Sequence, residues 1–218
     1  MKRAVVAGAA LVVAALCVGV AAAAGLALSP ARLTVHSAAV TVPTSTCALR
    51  AEADTYADET LLLSNFGTAT NLAVRAQLLG NRRSYLRFDL SACGLASSAE
   101  VKSAALTLYL SAAPTASRTY NVYRLTATWT ETALNWSNAP ASAPAATASA
   151  ATGTASGVTR SWDVGADVST FVAGTATNHG WLLRDATEGG LSAVGATFGS
   201  DERVSASERP LLTITYRT

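Results

Sequence analysis

Apolar and polar residues alternate over short stretches through most of this chain. From Ser84 to Leu90, Leu86, Phe88 and Leu90 fall on one side of an extended segment, and Tyr85, Arg87 and Asp89 fall on the other, because successive strand side chains point to opposite faces. Ala104, Leu106, Leu108 and Leu110 repeat the pattern, with Thr107 and Tyr109 facing out. Leu212, Ile214 and Tyr216 do the same near the C-terminus, opposite a row of threonines. Clusters of Gly, Pro, Asn, Ser and Thr separate these runs, which is the signature of an all-β domain. The predicted fold is a jelly-roll-like antiparallel β-sandwich with one short helix, preceded by an N-terminal signal or anchor helix.

Three segments depart from the alternation. Val164, Val168, Phe171 and Val172 have the spacing of one stripe of a short helix, closed by Gly174, and are expected to plug one end of the sandwich. Residues 139–157 contain only Ala, Ser, Thr, Pro and Gly, too few large side chains for a core, and read as a long mobile loop inside one domain. Ala4 to Leu28 carries no charge and follows Lys2 and Arg3, the order of a basic n-region and an apolar h-region. Residues 1–27 are expected to be a secretory signal peptide; uncleaved, they form a membrane anchor, since about 20 apolar residues span a bilayer. Residues 28–49 form an extended segment, an edge strand or a stalk, and residues 50–218 form the β-sandwich.

The leader changes what the composition means. The whole chain has 16 basic and 14 acidic residues and is 50% hydrophobic. Removing the leader takes away Lys2 and Arg3 and leaves the two signs equal. A neutral domain without a basic stripe is not built to bind nucleic acid, and its apolar content excludes a disordered chain. The membrane enters only through an uncleaved N-terminal segment. With Cys17 in the leader, Cys47 and Cys93 are an even pair in an exported chain and are expected to form a disulfide.

Catalytic signatures are missing. There is no H-E-x-x-H, no G-x-S-x-G and no phosphate-binding glycine loop. His36 and His179 are the only histidines, too few for an imidazole metal site. Paired carboxylates for glycoside hydrolysis meet in space rather than in sequence, and Glu131, Asp163, Asp185, Glu188, Asp201 and Glu202 are the candidates. Glu131 lies between Trp129 and Trp136; the two tryptophans are expected to pin their loop to the sandwich edge while Glu131 bonds its backbone. Asp54, Asp58 and Glu59 read as a solvated acidic turn, with a structural calcium as the alternative. No other cofactor is expected.

The order of the motifs resembles a known family. Ala53-Asp54-Thr55-Tyr56, Asn65-Phe66-Gly67 and Arg83 to Leu90 look like the opening strands of bacterial DNRLRE-type domains. Ala104 to Leu110 matches their next strand. Trp129-Thr130-Glu131 with Asn135-Trp136-Ser137-Asn138-Ala139-Pro140 looks like their tryptophan loop. Trp162-Asp163-Val164, Gly180 to Arg184 and Arg209 to Tyr216 carry the match to the C-terminus. The resemblance covers roughly residues 50–218 and implies a jelly-roll sandwich of secreted and cell-surface proteins. It is similar to carbohydrate-binding modules for acidic polysaccharides such as alginate. Those relatives use several lysines, whereas here Lys102 is the one lysine outside the leader and arginines take that part.

Sugar recognition needs aromatic faces for the apolar sides of pyranose rings and a few polar groups for orientation. If consecutive strands are neighbours, Tyr85, Arg87, Tyr109 and Tyr123 share one outward face, with Arg82 and Arg83 at its start. An arginine fork fits a uronate carboxylate. The expected function is therefore a non-catalytic secreted or cell-surface module that binds polysaccharide. The alternatives are a structural component of a surface layer or coat and, after it, a polysaccharide lyase or glycoside hydrolase.

Overall fold

Long alternating strands with one greasy face must stack against another such face, and this chain does so by curling one sheet over itself. The computed structural model describes residues 43–218, so the expected leader helix and most of the segment 28–49 lie outside the described residues. Eleven strands follow in order: β1 Ser45–Arg50, β2 Ala53–Asp58, β3 Asn71–Ala76, β4 Arg82–Arg87, β5 Glu100–Ala112, β6 Thr119–Arg124, β7 Ala148–Ala151, β8 Val158–Asp163, β9 Trp181–Asp185, β10 Val194–Gly199 and β11 Leu211–Arg217. One helix, α1, spans Gly165–Val172. All strand pairs are antiparallel.

The long strand β5 organises one layer. β8 lies along one edge of it, with Leu106 opposite Trp162. β11 and then β10 occupy the other edge, and β1 pairs with β11. The second layer runs β2, β4, β9, β6, β7. β3 pairs with β10 along its whole length but meets β4 only at Arg75 and Arg82, and there the sheet turns from one layer into the other.

The alternation of the sequence is borne out between the layers. Ala104, Leu106, Leu108 and Leu110 of β5, Leu86 of β4 with Phe88 just beyond it, and Leu212 and Ile214 of β11 are buried in one cluster. Phe198 of β10 meets Tyr120 of β6 and Trp162 of β8 edge-on, each at 6.1 Å. Trp162 Nε1 donates to the Tyr120 carbonyl at 2.9 Å, so its one polar atom also bridges the layers. The helix stripe behaves as expected. Val164 and Val168 are buried, Phe171 packs on Trp181, and Gly174 leaves the helix with φ of 69°. The predicted disulfide joins Cys47 of β1 to Cys93, with Cα atoms 5.8 Å apart. Closing a loop between residues 46 positions apart removes about 4 kcal/mol of freedom from the unfolded chain.

The segment 139–157 is not the long loop that its composition predicts. It contains β7, paired with β6 from Thr119 opposite Ala151 to Val122 opposite Ala148. Small residues suffice because β7 is a sheet edge that needs ladder hydrogen bonds more than side-chain volume. Among the described residues no helix is long and apolar enough to cross a membrane.

Candidate functional site

The outer face of the layer built on β4, expected to be wet, carries a second hydrophobic cluster. Ala53, Ala57, Tyr85, Leu182 and Tyr123 point outward from β2, β4, β9 and β6, and the loop after β6 folds over them with Leu125, Trp129 and Leu134. Trp129 Nε1 donates to the His179 carbonyl at 2.8 Å, which fixes the loop to the start of β9. That strand approaches β4 so closely that a Cβ on Gly180, whose φ is 80°, would stand 2.0 Å from the Leu86 carbonyl oxygen. Trp129 thus pins the tryptophan loop as the sequence reading expects, but over the face of the sheet and not at its edge.

This roof corrects the predicted ligand face. Tyr85 is 1% exposed and Tyr123 7%, so Tyr85 offers no free ring to a sugar. Tyr109 lies on β5, whose neighbours are β8, β10 and β11, whereas Tyr123 lies on β6 beside β9 and β7. Consecutive strands are not neighbours at this step, and the shared face does not form. Arg82 points to the opposite side and pairs with Asp58 at 2.6 Å. Arg87 pairs with Glu52 at 2.9 Å and rests on the Trp129 ring at 5.3 Å. Of the six residues, Arg83, Tyr85 and Tyr123 come together, with both tyrosine rings buried beneath the arginines.

That patch has members the sequence did not disclose. Arg83 donates to both oxygens of Glu188, at 2.8 and 2.7 Å, and its guanidinium lies 4.6 Å from the centre of the Trp136 ring. Arg184, on β9, reaches the same Glu188 at 3.4 Å and lies 4.4 Å over the Tyr123 ring. Asn121 donates to the Tyr123 hydroxyl and accepts from Ser149, at 3.2 and 2.7 Å. Trp136 is aimed by a capped turn: Asn135 Oδ1 accepts from the Ser137 and Asn138 amides, and Asn138 Oδ1 accepts from the Asn135 amide. Two guanidinium groups against one carboxylate leave a positive excess beside a half-exposed indole. Such an arrangement can stack on a sugar ring and attract a carboxylate. Arg184 and Leu182 are two positions apart and so share one face of β9; which strands lie beside β9 is set by long-range pairing.

A second constellation gathers carboxylates. Asp54 on β2, Glu131 in the tryptophan loop, and Asp201 and Glu202 in the turn after β10 each place an oxygen within 4.8 Å of the others. Glu131 Oε1 accepts from the Asp54 amide at 2.8 Å, so it occupies the free edge of β2; Asp54 Oδ2 accepts from the Asp201 amide at 2.8 Å. The Asn-Phe-Gly motif serves this junction. Asn65 donates to the Glu131 and Leu134 carbonyls at 2.6 and 2.8 Å, and a Cβ on Gly67 would stand 2.5 Å from the Glu131 carbonyl oxygen. Burial, then the charges of Asp201 and Glu202, push the Asp54 carboxyl up to about 9. Burial and the adjacent Glu202 push Asp201 up to about 7.

The predicted acidic turn of Asp54, Asp58 and Glu59 is dispersed. Asp58 is buried against Arg75 and Arg82, and Glu59 accepts from Asn81 at 2.9 and 2.7 Å. Of the carboxylates considered for glycoside hydrolysis, Glu131, Asp201 and Glu202 meet, while Asp185 pairs with Arg118, Glu188 with the two arginines, and Asp163 binds the Gly165 amide.

Residues 45–216 fit the family model of carbohydrate-binding module family 96. No curated protein matches the chain.

Proposed function

Since the chain belongs to carbohydrate-binding module family 96, we propose that it is a non-catalytic, exported or cell-surface module that binds an acidic polysaccharide of the alginate type. The binding surface in this reading is the patch of Arg83, Arg184, Trp136 and Asn121 on the outer face of the β4 layer, with the buried Tyr123 ring backing Arg184. The observation that carries it is the placing of two arginines on aromatic rings around a single glutamate. A guanidinium stacked on a ring is held in a fixed plane, and a fixed fork loses little freedom when it engages a carboxylate. Trp136 supplies an apolar surface for a pyranose ring next to that fork. The export reading is supported by the disulfide, which is at home in oxidising compartments.

Affinity electrophoresis through gels of acidic and neutral polysaccharides tests the reading. The chain is expected to be retained by a uronate polymer, and Trp136→Ala or Arg83→Gln to lose at least about tenfold in affinity, the equivalent of one good contact. Retention of neither polymer class sinks the reading. Retention that both variants keep moves the binding surface elsewhere.

A further inference from the structure

We propose that Asp54, Glu131, Asp201 and Glu202 hold one calcium ion, which ties the edge strand β2, the tryptophan loop and the turn after β10 into one unit. The first ground is geometric. An oxygen from each of the four carboxylates lies within 4.8 Å of the rest, although the residues come from three separate stretches of the chain. Like charges are not brought together by their own attraction.

The second ground is what surrounds them. Asp54 is 1% exposed, and while its Oδ2 takes the Asp201 amide, its Oδ1 is buried without a hydrogen-bond partner. Asp201 Oδ1 and Glu202 Oε2 are likewise shielded and unpartnered. A buried carboxylate oxygen without a donor is a costly feature unless something fills its lone pairs. Arginines fill them elsewhere in this fold. Arg75 and Arg82 go to Asp58, Arg83 and Arg184 to Glu188, Arg118 to Asp185, Arg124 to Asp167 and Arg203 to Glu208. Among the described residues, no ion pair includes any of the four clustered acids.

The donor chemistry selects the ion. Every ligand is a carboxylate oxygen, and no imidazole or thiolate is present, which favours a hard cation. Calcium accepts six to eight oxygens, mono- or bidentate, in an irregular shell, and leaves room for water. Magnesium demands a tighter octahedron and keeps more of its own water, a poorer fit to four carboxylates from three segments. Glu131, Asp201 and Glu202 are only partly buried, so the ion has a way in from solvent. The proposal does not depend on the glycan reading, since the arginine patch and the carboxylates share no residue.

Calcium titration calorimetry on the chelator-stripped protein, paired with thermal unfolding in calcium and in EDTA, tests it. One calcium per chain is expected, with magnesium weaker by on the order of tenfold. Tm should rise by about 5–10 °C when calcium exceeds its Kd a hundredfold. Glu202→Gln removes one ligand charge from an oxygen that has no partner to lose. It should weaken calcium by about tenfold or more and shrink the Tm shift, while melting in EDTA no lower than the unaltered chain. Asp54→Asn should abolish the shift; if that variant fails to fold, Glu202→Gln decides. No binding heat and equal melting in calcium and EDTA would overturn the proposal, and so would calcium binding that Glu202→Gln leaves unchanged.

Discussion

Asp54 and Asp58 stand on the same side of the same strand, opposite Leu86 and Arg82, and both are buried. Their surroundings have opposite signs. Asp58 receives the Thr60 amide and hydroxyl on one oxygen and Arg82 on the other, with Arg75 at 3.5 Å. Burial alone pushes the Asp58 carboxyl up, but these donors outweigh it and hold it below the usual carboxylate range. Asp54 meets three further carboxylates and one amide, and its carboxyl is driven far above that range. One strand therefore carries a buried aspartate complete within the protein and another that lacks its counter-charge. Burial of an acid is not itself informative; what matters is whether its lone pairs are filled, and by what.

The largest way to break the contrast is through the roof. Trp129→Ala removes the side chain that pins the loop carrying Glu131 to one cluster and Trp136 to the other. It is expected to cost about 3–5 kcal/mol, read by denaturant unfolding, and to weaken both the calcium response and polysaccharide retention. Loss of stability with both responses intact would show that the loop is held by other contacts.

Asp58→Asn comes next. It leaves Arg75 and Arg82 facing a neutral amide and is expected to cost about 2–3 kcal/mol, equally with and without calcium. The pH dependence has a definite sign. Because the folded pKa of Asp58 lies below its unfolded value, its contribution is present above the ordinary aspartate range and is lost as pH falls through the folded pKa. The stability gap between the unaltered chain and Asp58→Asn should thus be full at neutral pH and close in strong acid. A gap that widens in acid would reverse the assignment.

The smallest effect is expected at Glu131→Gln. The amide oxygen of Gln can still accept from the Asp54 amide, so only one negative charge leaves the cluster. In EDTA the variant should be as stable as the unaltered chain or more so, by less than about 1 kcal/mol. A loss of stability there would mean that the carboxylates are balanced by the protein itself.

Much of the sandwich was legible because burial on one face of a strand forces period two. The inward residues of β5 and β11, the stripe of α1 and the pairing of the two cysteines follow from such local rules. β7 was not legible, since an edge strand of alanine and serine makes its ladder bonds without any hydrophobic signature. The arginine and aromatic patch was half legible. Arg83 and Tyr123 could be placed on outward faces, but Arg184, Trp136 and Glu188 join them only because β9 inserts between β4 and β6. Tyr85 was misplaced for a related reason: a face that is outward from one layer can be covered by a loop.

By itself the sequence determined an antiparallel sandwich with a plugged end, a neutral charge balance over residues 28–218 and a set of arginines in place of lysines. These follow from periodicity and composition, which act residue by residue. Only the tertiary structure decided which charges are neighbours. Strand order, the turn of the sheet at β3 and β4 and the folding of the tryptophan loop are long-range, and they set Glu131 beside Asp201, 70 positions on, while giving Asp58 two arginines that Asp54 lacks. Electrostatic interactions depend on distance in space and on access to water, and neither can be read from separation along a chain.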